Sequence, residues 1–333
     1  MYDNSVILVP TYEDYGIEGT YLGERIHQEL QRLGRNDIEL VYARVVRFRD
    51  SSQKVVIKES VRGKNVYIIH PTYTGAAEHA FIGAQAGQAA KMGDAERVIL
   101  FDLYQKYIRQ DRRTDREPVT ARLIAELYEL AGIDHVFTLD AHVDQIQMAF
   151  SSDCPIETLP TTKLVSDYLR RNYNLANAAA CSPDTGGVKR VRSMANYLGL
   201  PMVIIHKKRS GTDQSEVIDV IGNVEGKDVY IRDDVTTTGG TLMNAGTALK
   251  EIGAREIYAV VTHLDIDDET KEKMKENGIK IITTNTVPQE FTEEEKEQFD
   301  VIDVAPLIAL LIHFRSEGRS IAKFFDTKGN NFD

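Results

Sequence analysis

The densest chemistry in this chain follows one short apolar run, in Ile231, Arg232, Asp233, Asp234, Val235, Thr236, Thr237, Thr238, Gly239, Gly240 and Thr241. Two adjacent carboxylates end a strand, and a Thr/Gly loop then opens a helix over 242–252, so hydroxyls and backbone N–H groups converge where a helix dipole is positive. At a strand terminus both acids reach vicinal hydroxyls while the loop takes a phosphate. That geometry fits a sugar phosphate. An ordinary polar helix cap, which Thr or Gly commonly supplies, accounts for one such residue but not for two acids followed by Thr-Thr-Gly-Gly-Thr.

Further clusters share this character. Arg109, Gln110, Asp111, Arg112 and Arg113 pack basic residues just beyond a strand at 98–103, and guanidinium groups grip phosphate oxygens in pairs. Asp140 and His142 end a strand at 136–140; in an extended segment positions i and i+2 share a side and can face a metal or a phosphate. Ser182, Pro183, Asp184, Thr185, Gly186 and Gly187 repeat the pattern of strand, acid, glycines and helix start, and Asp184 can hold Mg²⁺ directly or through water, because hard cations prefer oxygen ligands. His206, Lys207, Lys208 and Arg209 leave a strand for a polar, Gly-containing stretch at 210–215, where mobile cations can close over a transferring group and stabilise its charge.

The elements that must position these residues are legible as alternation. Short β-branched runs at 6–10, 66–70, 98–103, 136–140, 202–206, 229–233, 258–263 and 279–284 read as strands, and helical patterns at 76–92, 121–131, 187–198 and 241–252 lie between them. Such alternation predicts an α/β protein of doubly wound domains with mainly parallel sheets, whose ligands sit beyond the carboxyl ends of the strands. Every cluster above falls at such an end. At 333 residues the chain exceeds what one core usually fills, so two domains are expected, 1–155 and 156–333, crossing near Ser151–Pro155. Gln289 to Gln298, with its run of Glu, reads as a solvated helix or surface insertion.

A net charge of −11 argues against broad contact with nucleic acid or an anionic membrane, so the ligands should be small. Cys154 and Cys181 have no metal-ligand spacing around them and suit a structural role in a reducing compartment. The first residues lack a basic region before an apolar core, and no apolar run reaches the roughly 18 residues of a membrane span, so a soluble cytoplasmic protein is expected.

In this order the segments resemble ribose-phosphate pyrophosphokinase, the phosphoribosyl pyrophosphate synthetase family, over most of the chain: Glu59 to Lys64, Arg109 to Arg113, Asp140 to Gln147, Ser182 to Gly187, Lys207 to Arg209, Asp233 to Thr241, and the tail from Val304 to Phe325. The resemblance implies two domains of type I phosphoribosyltransferase-like architecture and a reaction in which ribose 5-phosphate takes the pyrophosphoryl group of ATP on its 1-hydroxyl, giving 5-phosphoribosyl 1-pyrophosphate and AMP. It implies that Asp233 and Asp234 hold the 2- and 3-hydroxyls, and that Thr237, Thr238, Gly239, Gly240 and Thr241 form the 5-phosphate loop. Lys207 and Arg209 become the catalytic basic pair of a flexible loop, while His142 and Asp184, with Asp140 as neighbour, serve Mg²⁺–ATP. Arg109, Gln110 and Asp111 fall on the nucleotide run, and Phe48 and Asp50 match residues that contact adenine across a subunit boundary. A homo-oligomer is implied, often a hexamer built from dimers.

The chain departs from the family pattern in places. Ser51-Ser52 stand where Gly-Glu is usual, Thr237 where the loop usually has an acid, Arg232 where an apolar residue is common, His206 where an acid precedes the basic pair, and 264–268 diverges from a Pro-containing turn. Two other readings compete. A type I phosphoribosyltransferase shares the acid-acid-loop cradle but leaves the Arg109 run and the Lys207/Arg209 pair without a purpose, and a catalytically silent, nucleotide-binding regulator need not keep Lys207, Arg209, His142, Asp233 and Asp234.

Overall fold

The computed structural model describes residues 4–12, 21–70, 72, 75–210 and 215–325, with the side chains of 207–210, 215–218 and 325 outside the description. The chain forms two compact units, one of Met1–Leu159, Thr286–Pro288 and Val304–Phe325, the other of Pro160–Asn285, Gln289–Asp303 and Asp326–Asp333.

The first unit is a seven-stranded sheet with strands β1 (Ser5–Tyr12), β2 (Glu39–Arg47), β3 (Gln53–Ile57), β4 (Asn65–His70), β5 (Arg97–Asp102), β6 (His135–Leu139) and β7 (Ile156–Leu159), in the order β3-β2-β1-β4-β5-β6-β7. Only the β2–β3 edge hairpin pairs antiparallel. Helices α1 (Tyr21–Arg32), α2 (Ala76–Met92) and α3 (Thr120–Leu130) connect the strands, and α8 (Ala305–Ser316) returns to pack on α1. Strands β4, β5 and β6 are buried almost throughout, as parallel strands covered on both faces must be.

The second unit repeats the plan with β8 (Ala178–Ser182), β9 (Met202–Ser210), β10 (Ser215–Ile221), β11 (Asp228–Thr236), β12 (Glu256–Leu264), β13 (Ile279–Thr284) and β14 (Phe299–Ile302), ordered β10-β9-β8-β11-β12-β13-β14. Subtracting seven from each label reproduces the first sheet, its antiparallel edge pair included. Its helices are α4 (Thr162–Asn172), α5 (Val188–Leu198), α6 (Gly240–Glu251) and α7 (Asp268–Glu276). The two mainly parallel α/β sheets are those the alternation predicts.

Three details differ from the sequence reading. The crossing lies between Leu159 and Pro160, because 156–159 still pairs with β6 as the last strand of the first sheet. The segment 304–325 belongs to the first unit, where the apolar α8 finds its cover, although 156–333 reads as one continuous stretch. Finally, β9 does not end at His206 but runs to Ser210 in a hairpin with β10. The acidic segment holds only a 3₁₀ turn at Glu295–Glu297, with no buried residue. Both cysteines are buried and free, and burial pushes each thiol up to about 12, which leaves them inert at neutral pH.

Candidate active site

The strand order of the second unit reverses between β8 and β11, which is where a doubly wound sheet opens a crevice at its carboxyl edge. Asp184 follows β8, and the acid pair lies inside β11, which does not stop at Asp233 as the sequence suggests but stays paired with β12 through Val235 and Thr236. Asp234 is buried and Asp233 half-buried. Beneath them, Arg232 is 0% exposed: its Nη1 donates to the carbonyls of Asp233 (2.6 Å) and Val260 (3.2 Å), and its Nη2 to Thr161 Oγ1 (2.7 Å) and Thr262 Oγ1 (2.8 Å). A guanidinium where an apolar residue is usual thus ties β11 to β12 and to the start of α4.

Asp233 Oδ1 accepts from the Asp234 N–H at 2.9 Å. Arg190, one turn into α5, brings Nη1 to 3.0 Å from Asp234 Oδ1 and 3.6 Å from Asp233 Oδ1. Burial, then the charge of Asp234, pushes the Asp233 carboxyl up to about 7, while Arg190 pulls it the other way. Asp184 Oδ1 accepts the Gly187 N–H at 2.9 Å and Ser182 Oγ donates to the Asp184 carbonyl at 2.7 Å, folding the loop that launches α5. A Cβ at Gly187 would lie 3.0 Å from Ser182 Oγ, so this turn admits little more than glycine.

In the loop after β11, Thr237, Thr238 and Thr241 are exposed and Gly239 is buried at φ +68°. A Cβ there would meet Met274 Cε at 2.7 Å, the movable end of a flexible side chain, so it is the positive φ that calls for glycine. Gly240 begins α6, and no side chain caps its N-terminal N–H groups. They are oriented for an anion. On β9, Lys207 pairs in register with Ile218 and Arg209 with Glu216; the basic side chains lie outside the described residues.

The first unit carries the remaining candidates. Arg109 closes a 3₁₀ turn (Lys106–Arg109) after β5; Arg109 and Gln110 are exposed and Asp111 half-buried, with the Gln110 carbonyl accepting the Ala121 N–H at 3.2 Å as α3 begins. Beyond β6, Asp140 is buried at φ +39° and its N–H donates to Leu159 O at 3.0 Å, while His142 is exposed. The extended segment assumed for an i, i+2 pairing is therefore broken at Asp140 itself. Among the described residues, His, Cys, Asp and Glu nowhere gather as a cluster of three or more suited to a metal.

Phe48 and Asp50 sit at the tip of the β2–β3 hairpin. Phe48 is 46% exposed with Lys54 Nζ 5.5 Å from its ring centroid. Asp50 Oδ1 accepts the Ser52 hydroxyl (2.7 Å) and N–H (3.0 Å), which holds its carboxyl below the ordinary range. Sequence reasoning missed Arg190. Its only signal was a basic residue three positions after Gly187, the spacing that returns a side chain to the strand-end side of a helix's first turn.

A family profile described as the N-terminal domain of ribose phosphate pyrophosphokinase matches residues 16–132, and one for the phosphoribosyl transferase domain matches 161–298. Ribose-phosphate pyrophosphokinases of Bacillus subtilis (37% identical over 291 residues, 86% of this chain and 90% of that protein) and Helicobacter hepaticus (36% over 291 residues, 87% and 92%) align across both units. The chain belongs to the ribose-phosphate pyrophosphokinase family. The crystal structure of phosphoribosylpyrophosphate synthetase from Mycobacterium smegmatis superposes with a TM-score of 0.78 at 30% identity, covering 95% of this chain and 99% of that one. As a family member the chain is an enzyme, a pyrophosphokinase with the family's two-sheet fold. Among the described residues no helix is long and apolar enough to cross a membrane.

Proposed function

We propose that the β11–α6 segment of this pyrophosphokinase is the acceptor cradle: Asp233 and Asp234 take the 2- and 3-hydroxyls of ribose 5-phosphate, and Thr237, Thr238, Gly239, Gly240 and Thr241 take its 5-phosphate. The reaction transfers the pyrophosphoryl group of ATP to the 1-hydroxyl, giving 5-phosphoribosyl 1-pyrophosphate and AMP. The observation that carries this reading is the joining of a partly buried acid pair to an uncapped helix start through a loop that turns at Gly239 with a positive φ.

Carboxylates accept from the two hydroxyls while helix N–H groups and threonine hydroxyls donate to the phosphate, so the sugar is gripped at both ends and O1 is left to react. ATP is held by Arg109, Gln110 and Asp111, with its base against Phe48 and Asp50. O1 attacks the β-phosphorus, the bond from that phosphorus to the bridging oxygen of the α-phosphate breaks, and AMP departs. Lys207 and Arg209 stabilise the charge that builds on the moving group. No covalent intermediate with the protein is needed.

Magnesium is the implied cofactor, and the donors suit an ion carried in on the polyphosphate. Asp184 is exposed, with only Oδ1 engaged by Gly187, and Mg²⁺ keeps several waters and binds through one or two carboxylates plus substrate phosphates rather than a protein cage. Asp184 would hold that ion or its waters, Asp140 and His142 are the first unit's own candidates for Mg²⁺–ATP, and the metal would neutralise the triphosphate. The oligomer is taken to be a dimer-based homo-oligomer that completes the adenine site with a neighbouring subunit.

The test follows phosphorus NMR of the purified protein with Mg²⁺, ATP and ribose 5-phosphate. AMP together with a new 1-pyrophosphate signal is expected. Production of ADP, or no turnover across a range of phosphate concentrations, contradicts the reading.

A further inference from the structure

Two adjacent carboxylates with little solvent repel each other, and burial penalises both charges, so such a pair left alone keeps a proton between its members. A protonated carboxyl spends one oxygen as a donor and is a poorer acceptor for a pair of hydroxyls. Arg190 stands against this. Its guanidinium is 15% exposed and touches one oxygen of each acid, at 3.0 Å and 3.6 Å, with the Asp234 and Asp233 side chains at 5% and 18% exposure.

We propose that Arg190 is a positioning residue that favours the charged form of the Asp233–Asp234 pair and aims it as a double acceptor for the vicinal hydroxyls of the acceptor sugar. The inference rests on the reading of β11–α6 as the ribose 5-phosphate cradle and names the group that sets its charge. Geometry supports it from three sides. The Asp234 N–H already orients Asp233 Oδ1, Arg232 holds the strand from below through the Asp233 carbonyl, and Arg190 alone reaches both carboxylates among the ion pairs described.

Among the described residues, the charged groups placed at Asp233 are Asp234 and Arg232 beside it on β11, Arg232 reaching its carbonyl, and Arg190 facing it from α5. On β12 its register partner is Val261, with His263 two positions on, opposite Val235. The first turn of α6 carries no acid. Burial and the neighbouring acid raise the proton affinity of Asp233, and Arg190 lowers it, so losing the guanidinium must move the acid limb of acceptor binding to higher pH.

Arg190→Met, Arg190→Gln and Arg190→Lys would be compared by steady-state kinetics against pH. Arg190→Met is expected to raise the KM for ribose 5-phosphate about tenfold at neutral pH, leave the KM for ATP within about twofold, and move the acid limb of kcat/KM for ribose 5-phosphate up by about one pH unit. Arg190→Lys, which keeps the charge on a shorter reach, should restore most of both effects, and Arg190→Gln replaces the Met variant if that fails to fold. A limb that stays put in the neutral variants, or moves equally in Lys and neutral variants, overturns the inference, because a merely structural tie between α5 and β11 would disturb both substrates alike. Asp233→Asn separates the levels. If it leaves the ribose 5-phosphate KM unchanged, the cradle reading itself fails; if it raises that KM while Arg190→Met does not, only the role of Arg190 falls.

Discussion

Strands β11 and β4 hold the same place in two sheets of identical order, yet their carboxyl ends are finished in opposite ways. Near its carboxyl end β11 carries a buried and a half-buried acid, followed by a loop of exposed threonines and an uncapped helix start. β4 ends in His70, which is sealed in. The His70 ring stacks on His79 with centroids 3.9 Å apart, His79 Nε2 lies 2.9 Å from Asp102 Oδ1 at the end of β5, and Tyr128 donates to Asp102 Oδ2 at 2.7 Å. All four side chains are 2% exposed or less. The same topology therefore carries exposed threonines and an uncapped helix start beyond one strand and a closed polar plug at the end of the other. What decides is whether polar groups at the strand ends are spent on one another or kept for a ligand.

The largest test of this contrast lies on the open side. Lys207→Ala should lower turnover by about two orders of magnitude or more while ribose 5-phosphate binding changes little, as a group that meets charge only in the transition state requires. A turnover close to that of the parent would remove β9 from the reacting centre.

Acid should then pull the two units apart. Burial, and next the charge of His79, lowers His70 to about 3, against about 6.5 in an unfolded chain. The unfolded state binds more protons across that window, so the first unit loses stability as pH falls through it. Asp233 runs the other way: at about 7 when folded and about 3.9 when unfolded, it binds its proton more tightly in the native state, so the second unit gains stability as pH falls from about 7 to about 4. Amide exchange corrected for intrinsic rates should show β4 and β5 loosening below neutral pH while β11 tightens. Parallel loosening of both would contradict the contrast.

Smaller effects sharpen it further. Gly239→Ala, which forces a side chain into φ +68° and against Met274, should cost about 1–2 kcal/mol in the second unit and raise the ribose 5-phosphate KM without touching that for ATP. At the β2–β3 tip, Ser51 occupies φ +68°, so Ser51→Gly should raise stability by about 0.5 kcal/mol, read as a small upward shift in Tm.

Much of this was legible in residue order. The helix 76–92 and the strand 279–284 coincide with α2 and β13, because each is a long or strongly β-branched run between clear breaks. The hairpin β2–β3 gives no clear strand signal because its apolar residues are mixed with charged ones and β3 buries none of its side chains, and nothing local in α8 shows that it returns to the first unit. The acid pair and its loop were visible as a contiguous motif. Arg190 was not, because a guanidinium gains its meaning only when α5 lays it against β11. Likewise the plug of His70, His79, Asp102 and Tyr128 joins residues scattered over two strands and two helices, with no local spacing to announce it.

The central claim, that the acid pair near the carboxyl end of β11 receives the acceptor sugar, is tested most directly by the separate KM values of Asp233→Asn. The account predicts a rise of about tenfold or more for ribose 5-phosphate with the ATP value within about twofold of the parent. A raised KM for ATP beside an unchanged KM for ribose 5-phosphate would contradict it.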